Sequence, residues 1–262
     1  MSAEKKDRAL QVLNGINNNP GQALLIHYSR QGLNDNELGT ATPRIIAIMI
    51  KSLDSKTICC FAIHHEAEKA KVIRENIVDY YDFLEERLIR GFNTFVKEHS
   101  GYKWLHWDMN DVHFGFEAIE HRYKVLIDED GKDFSTVPFQ NRINVNELLK
   151  DIYSSNYEKE PLLENLMKTN NKGNYKEGFL TLPEEALAFR QLDFPKILES
   201  LRCKVNFLLD VVKKSIAQTL KIGKRNFTNK LRAFITHPIT ATVSVILTLL
   251  SIILKLIGVF GK

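Results

Sequence analysis

Residues 102–122 read Tyr-Lys-Trp-Leu-His-Trp-Asp-Met-Asn-Asp-Val-His-Phe-Gly-Phe-Glu-Ala-Ile-Glu-His-Arg, and the change of period inside them decides the fold class. Residues 102–107 are a short aromatic and aliphatic run that reads as a strand. Residues 114–126 place Phe116, Ile119, Tyr123 and Leu126 on one face at spacings of three and four, which is an amphipathic helix. A strand that passes through an acidic turn into a helix is the unit of an α/β domain.

The same reading extends in both directions. Upstream, residues 5–15 form a polar helix closed by the turn cluster Asn17-Asn18-Asn19-Pro20-Gly21. Residues 23–28 are a compact apolar strand, and a loop rich in Gly and Asn carries the chain to Thr42-Pro43. Residues 45–52 and 56–63 are two β-rich runs around Asp54-Ser55, a hairpin signal. Residues 66–98 read as one helix, with Val72, Ile73, Ile77, Tyr80, Tyr81, Leu84, Leu88, Phe92 and Phe95 spaced by threes and fours. Downstream, residues 144–153, 161–168, 184–189 and 194–213 are helical. The order strand, hairpin, helix, strand, helix and then further helices fits a three-layer α/β body. Its three cysteines, Cys59, Cys60 and Cys203, have no ligand spacing, and the adjacent pair in an apolar run reads as core. That usage points to a reducing compartment without a disulfide framework.

The net charge of +4 is an average over unlike regions. Residues 1–195 carry 24 basic and 30 acidic side chains, a balance of −6. Residues 196–237 carry 10 basic and 2 acidic, a balance of +8, and Lys255 with Lys262 adds +2. The chain therefore divides into a body (1–195), a basic helical neck (196–233) and an apolar tail (234–260). Residues 239–254 hold no charged side chain, and about 20 apolar residues span a bilayer core. The tail reads as a transmembrane helix, with Lys255 able to snorkel to the far interface. A buried core helix is the alternative, but it would show a polar stripe where this segment shows only scattered Ser and Thr. Residues 1–11 are polar and charged, so no signal peptide is expected.

The neck supplies Lys213, Lys214, Lys221, Lys224, Arg225, Lys230 and Arg232 just before the span. Short basic flanks stay on the cytoplasmic side, where anionic lipids attract each charge by about 1 kcal/mol. The body is therefore expected in the cytoplasm and the C-terminus outside. Nucleic acid is the other partner that a polybasic stretch can take. Thr240, Ser244, Thr248 and Ser251 recur on one face of the tail helix. Such a face lets spans approach and self-associate, or its hydroxyls bond back to their own helix.

Candidate chemistry concentrates between His106 and Arg122. On a helix His113, Glu117 and His121 share one face, and two imidazoles with a carboxylate can hold a divalent transition metal. The alternative is a solvated, salt-bridged face whose helix is capped by Asp111. His64-His65 reads as a turn or interface pair.

A strand, an acidic turn and a helix opening with Phe114-Gly115-Phe116 resemble the second motif of DnaQ-like exonucleases, members of the ribonuclease H-like group. The resemblance spans roughly residues 22–200. It implies a first strand at 24–28, the hairpin at 45–63, Asp108 or Asp111 as second-motif carboxylates, and Glu185 or Asp193 as third-motif ones. His106 or His113 would then serve as base, with Mg²⁺ or Mn²⁺ as the metal. The first strand of that family supplies an Asp and a Glu two residues apart, and here those places hold His27 and Ser29. Two-metal hydrolysis depends on carboxylates that hold ions about 4 Å apart, so the resemblance implies a body that has lost catalysis and kept a groove. Trp104-Leu-His106-Trp107 with residues 116–122 also resembles a bacterial membrane-tailed family, similar in layout to antiphage effectors of the inner membrane. That resemblance implies an oligomeric effector, held by a regulatory protein or a nucleic-acid-containing complex, whose spans disrupt the membrane. A tethered exonuclease-like enzyme and an anchored interaction module without chemistry are the other two readings.

Overall fold

Strand β1 (Ala23–Arg30) occupies the middle of the sheet because its side chains are apolar on both faces. Leu24, Ile26 and Tyr28 enter one buried cluster, while Ala23 and Leu25 enter the cluster on the opposite side. In a strand successive side chains alternate faces, so only a run such as Ala-Leu-Leu-Ile can be covered by helices on both sides. The computed structural model describes residues 3–32, 43–110, 114–153, 155 and 157–223.

The sheet has five strands in the order β3-β2-β1-β4-β5, with β2 at Ile45–Ser52, β3 at Ile58–Ala62, β4 at Lys103–His106 and β5 at Arg142–Asn144. β2 runs antiparallel to β1 and to β3, whereas β4 runs parallel to both β1 and β5. Helices α2 (Ile63–Lys69), α3 (Tyr81–Glu98) and α4 (Phe116–Leu126) supply apolar residues to one face. Helices α1 (Ala3–Asn18), α5 (Val145–Tyr153), α6 (Leu162–Asn170) and α8 (Phe194–Ile216) supply the other, and α7 (Leu182–Arg190) precedes α8. The result is a mixed α/β fold with helices on both sides of the sheet.

Two expectations change. The helix expected over 66–98 is interrupted: α2 ends at Lys69, Lys71 takes φ 58°, and a 3-10 turn (Arg74–Tyr80) leads into α3. A left-handed residue ends a helix, so Ile73 and Tyr80 are exposed while Leu84, Leu88 and Phe92 are buried. The neck expected from 196 onward begins inside the core. Ile197, Leu201, Val205, Leu208 and Val212 of α8 are all buried, and Leu220 and Ile222 follow them. Lys213 and Lys214 thus sit in the last turn of a core helix, and Lys221 follows it. Among the described residues no helix is long and apolar enough to cross a membrane. The span expected over 234–260, its face of Thr240, Ser244, Thr248 and Ser251, and the neck residues Lys224, Arg225, Lys230 and Arg232 lie outside the described residues.

One buried charge cluster ties these layers. Arg122 of α4 makes a two-pronged contact with Glu85 of α3, Nε to Oε1 at 2.9 Å and Nη2 to Oε2 at 2.6 Å. The Glu85 side chain is fully buried, and its Oε1 also accepts the Ile45 amide at 2.8 Å. Arg44 adds a contact to Glu85 at 3.3 Å and pairs with the exposed Asp82. Removing one partner of a buried pair costs about 3–5 kcal/mol, whereas exposed pairs contribute at most about 1 kcal/mol. Glu85→Gln should therefore lower the unfolding free energy in urea by at least about 3 kcal/mol, and Asp82→Asn by less than about 1 kcal/mol. Equal effects would remove Glu85 from its central role.

Candidate functional site

The parallel pair β1 and β4 end at the same edge of the sheet, and from β1 the chain leaves in opposite directions, through β2 to one side and β4 to the other. Ligands of open α/β sheets bind outside the carboxyl ends of strands at such a reversal. A cavity of about 720 Å³ opens there. His27 and Ser29 of β1, Glu185 of α7 and Lys204 of α8 line it together with Asp108, which follows β4, and Asn146 of α5. Phe114, Trp107, Phe179 and Leu182 give it apolar walls.

The Glu185 carboxylate is nearly closed off from solvent and fully partnered. Its Oε1 accepts from Ser200 Oγ at 2.7 Å and from Lys204 Nζ at 2.7 Å, and its Oε2 accepts from Ser29 Oγ at 3.1 Å. The two charged side chains are 9% and 7% exposed, so neither finds water in place of the other. Lys204 also lies over the Phe179 ring at 5.3 Å, a cation–π contact. Burial, with the Lys204 charge added, pushes the His27 imidazole down to about 3. It is therefore neutral at physiological pH. The Phe114 ring stacks on Tyr28 at 4.6 Å, and the Gly115 amide donates to the Tyr28 hydroxyl at 2.9 Å, which joins the start of α4 to the end of β1.

Asp108 sits at the rim in a left-handed conformation, φ 50°, which Asp tolerates better than most residues. Its Oδ1 accepts from Asn144 Nδ2 at 2.9 Å and its Oδ2 from Asn146 Nδ2 at 2.8 Å. Asn146 is itself fixed by the buried Tyr157 hydroxyl at 2.7 Å.

The other expected residues are dispersed. His106 is 1% exposed, and its Nδ1 accepts the Met109 amide at 3.1 Å. Burial, and secondarily Arg142, pushes it down to about 4, so it closes the turn after β4 as a neutral group and does not line the cavity. Asp193 caps α8 by accepting the Lys196 amide at 3.3 Å. Glu117 pairs with Arg142, and His121 is exposed on α4. The N-cap position of α4 is Gly115; Asp111, the expected cap, and His113 lie outside the described residues. Trp104 and Trp107 are core residues. Among the described residues no group of three His, Cys, Asp or Glu side chains is placed to hold a metal ion. Sequence reasoning named His27, Ser29, Asp108 and Glu185, and the fold brings these four to one cavity. It missed Lys204, Ser200 and Asn146. Ser200 and Lys204 carry a signal in retrospect: they are four residues apart on the buried face of α8, between Ile197, Leu201, Val205 and Leu208.

The chain matches no family model, no curated protein and no solved structure.

Two outcomes follow from this geometry. Leaving Glu185 buried and unpaired makes Lys204→Met destabilising by about 3–5 kcal/mol, while Lys204→Met combined with Glu185→Leu recovers most of that loss. Urea unfolding of both variants checks this, and an additive double variant would dissolve the pair. His106 has its pKa lowered by folding to about 4 from 6.5, so the unfolded chain binds the extra proton. Its contribution is complete above pH 6.5 and is lost as pH falls toward 4, about 2 kcal/mol by pH 5. His106→Asn keeps an acceptor for the Met109 amide, and stability measured at pH 7 and pH 5 should differ by about 2 kcal/mol less than in the parent.

Proposed function

We propose that this is a tail-anchored effector of the bacterial inner membrane whose cytoplasmic body binds a ligand or partner protein without hydrolysing it. The body belongs, on this reading, to the ribonuclease H-like group. What supports that is the strand order β3-β2-β1-β4-β5 with β2 alone reversed, together with a cavity at the carboxyl ends of β1 and β4.

The observation that carries the non-hydrolytic reading is the floor of that cavity. His27 and Ser29 stand where the resemblance calls for paired carboxylates, and Lys204 Nζ lies 2.7 Å from Glu185. A two-metal site gathers anionic oxygens around cations. Here the protein's own ammonium takes that carboxylate, and a divalent ion would meet a positive charge in place of a ligand. Binding then depends on the mixed walls of the cavity. The uncharged segment 239–254 and the basic residues before it support the anchor, with the C-terminus outside and anionic lipids around Lys221 and the neck. Occupancy of the cavity, in the manner of antiphage effectors, would release the spans to assemble and disrupt the membrane.

Expression of the full chain and of residues 1–233 in bacteria, with a potential-sensitive dye, tests the reading. The full chain should depolarise cells when its trigger is present and residues 1–233 should not. Equal depolarisation by both removes the anchor from the mechanism. Purified protein with Mg²⁺ or Mn²⁺ should leave labelled single-stranded nucleic acid intact; metal-stimulated cleavage lost in Asp108→Ala would replace this reading with the tethered-nuclease one.

A further inference from the structure

Strand β3 forms one edge of the sheet, and its hydrogen-bonding phase can be worked out. The Ser52 amide donates to the Thr57 carbonyl at 2.9 Å, and the β2–β3 register pairs Ile50 with Cys59 and Ile48 with Phe61. In an antiparallel ladder hydrogen-bonded pairs alternate. Thr57, Cys59 and Phe61 therefore face β2, and the amides and carbonyls of Ile58 and Cys60 face outward. Among the described residues nothing bonds those outward groups. Exposed edges are ordinarily blunted by charge, proline or a bulge. Residues 57–63 read Thr-Ile-Cys-Cys-Phe-Ala-Ile, with none of the charged or proline devices, and Ile58 is 61% exposed. The opposite edge, β5, is only three residues long and runs straight into α5.

We propose that the β3 edge pairs with the β3 edge of a second copy of this chain, antiparallel about a two-fold axis beside Cys59, to make one continuous ten-stranded sheet. The pattern is self-complementary. Ile58 of each copy meets Cys60 of the other, which closes four N–H···O bonds. The two Cys59 residues face each other in the close, non-hydrogen-bonded position, about 4.5 Å between Cα atoms. An uncharged run has no like charges to bring together on self-pairing, and a two-fold contact of this kind closes at the dimer without propagating. The inference is independent of the membrane and ligand readings, because it rests on the sheet alone.

The experiment uses the full chain in mild detergent with Cys59 as the sole cysteine (Cys60→Ser, Cys203→Ser). A short bismaleimide at pH 8.5 offsets the upward push that burial gives the Cys59 thiol. Cross-linked dimer should form with Cys59 alone and stay at background with Cys203 alone. Two further substitutions act on the edge without touching the β2 ladder. Ile58→Lys adds charge at an exposed position, and Cys60→Pro in place of Cys60→Ser removes an outward donor, a loss that edge strands tolerate. Each should cut the cross-linked dimer at least tenfold while circular dichroism and Tm stay near the parent. If Cys60→Pro does not fold, Ile58→Lys decides. No Cys59 cross-link above the Cys203 background, or a cross-link that survives Ile58→Lys, overturns the proposal, and so does a dimer in light scattering that yields no Cys59 cross-link when the bismaleimide is added.

Discussion

The carboxylate of Glu85 is the point at which the sheet and its helices are fastened to each other. Its two oxygens accept four donors: the Ile45 amide at the start of β2, two nitrogens of Arg122 on α4, and Arg44. A buried charge is tolerated only when paired and fully hydrogen-bonded. Satisfying Glu85 therefore requires α3, α4 and the first residue of β2 to arrive together. The Ile45 end of β2 lies beyond a bulge at Ser29/Arg30, and the regular register runs from Leu24 with Ser52 to Ser29 with Ala47, where a slip of one residue would send every side chain to the wrong face. Ser29 and His27 share one face of β1, and Tyr28, which receives the Gly115 amide, lies on the other, as strand alternation requires.

Much of this was legible from period alone. Residues 23–28, 45–52 and 102–107 are apolar runs too short for helices, and all three contain strands. The apolar faces of α3 and α4 are the ones their spacing picks out, Leu84, Leu88 and Phe92 in the first and Phe116, Ile119 and Tyr123 in the second. What failed did so for local or long-range reasons. Residues 66–98 keep helical spacing across 70–73, yet the chain turns there through a left-handed Lys71, which hydrophobic periodicity does not register. β5 contains only Arg-Ile-Asn, with no apolar run to advertise a strand; it is a strand because Trp104, Leu105 and His106 of β4 pair with it. Arg122 and Glu85 read as ordinary charges on amphipathic helices, and their burial is set by a partner 37 residues away.

The cavity was legible only in part, and the boundary is instructive. Positions set by strand alternation, His27 and Ser29, could be placed because the period of a strand is short and rigid. Asp108 followed from its place after β4. The partners that define the chemistry, Lys204 and Ser200, come from a helix nearly 180 residues later, which by charge balance reads as the start of a basic neck. Charge balance misled here: Lys204 counts toward the +8 of residues 196–237, but it is neutralised inside the body by Glu185 and contributes nothing to a surface field.

The two buried ion pairs therefore carry different meanings. Glu85 and Arg122 sit between packed helices, where the four donors leave the carboxylate no free role. Glu185 and Lys204 sit on the floor of a cavity of about 720 Å³, where apolar residues of the same volume would pack as well and cost less desolvation. A buried pair is weak evidence for stability, since hydrophobic replacements often match or exceed it. Its position beneath an open space, beside a neutral His27 and the Ser29 hydroxyl, is the feature on which the proposed binding role rests. An ammonium and a carboxylate that already satisfy each other present a polar floor without net charge. Such a floor favours an occupant bound by hydrogen bonds and apolar walls over one that must bring its own metal.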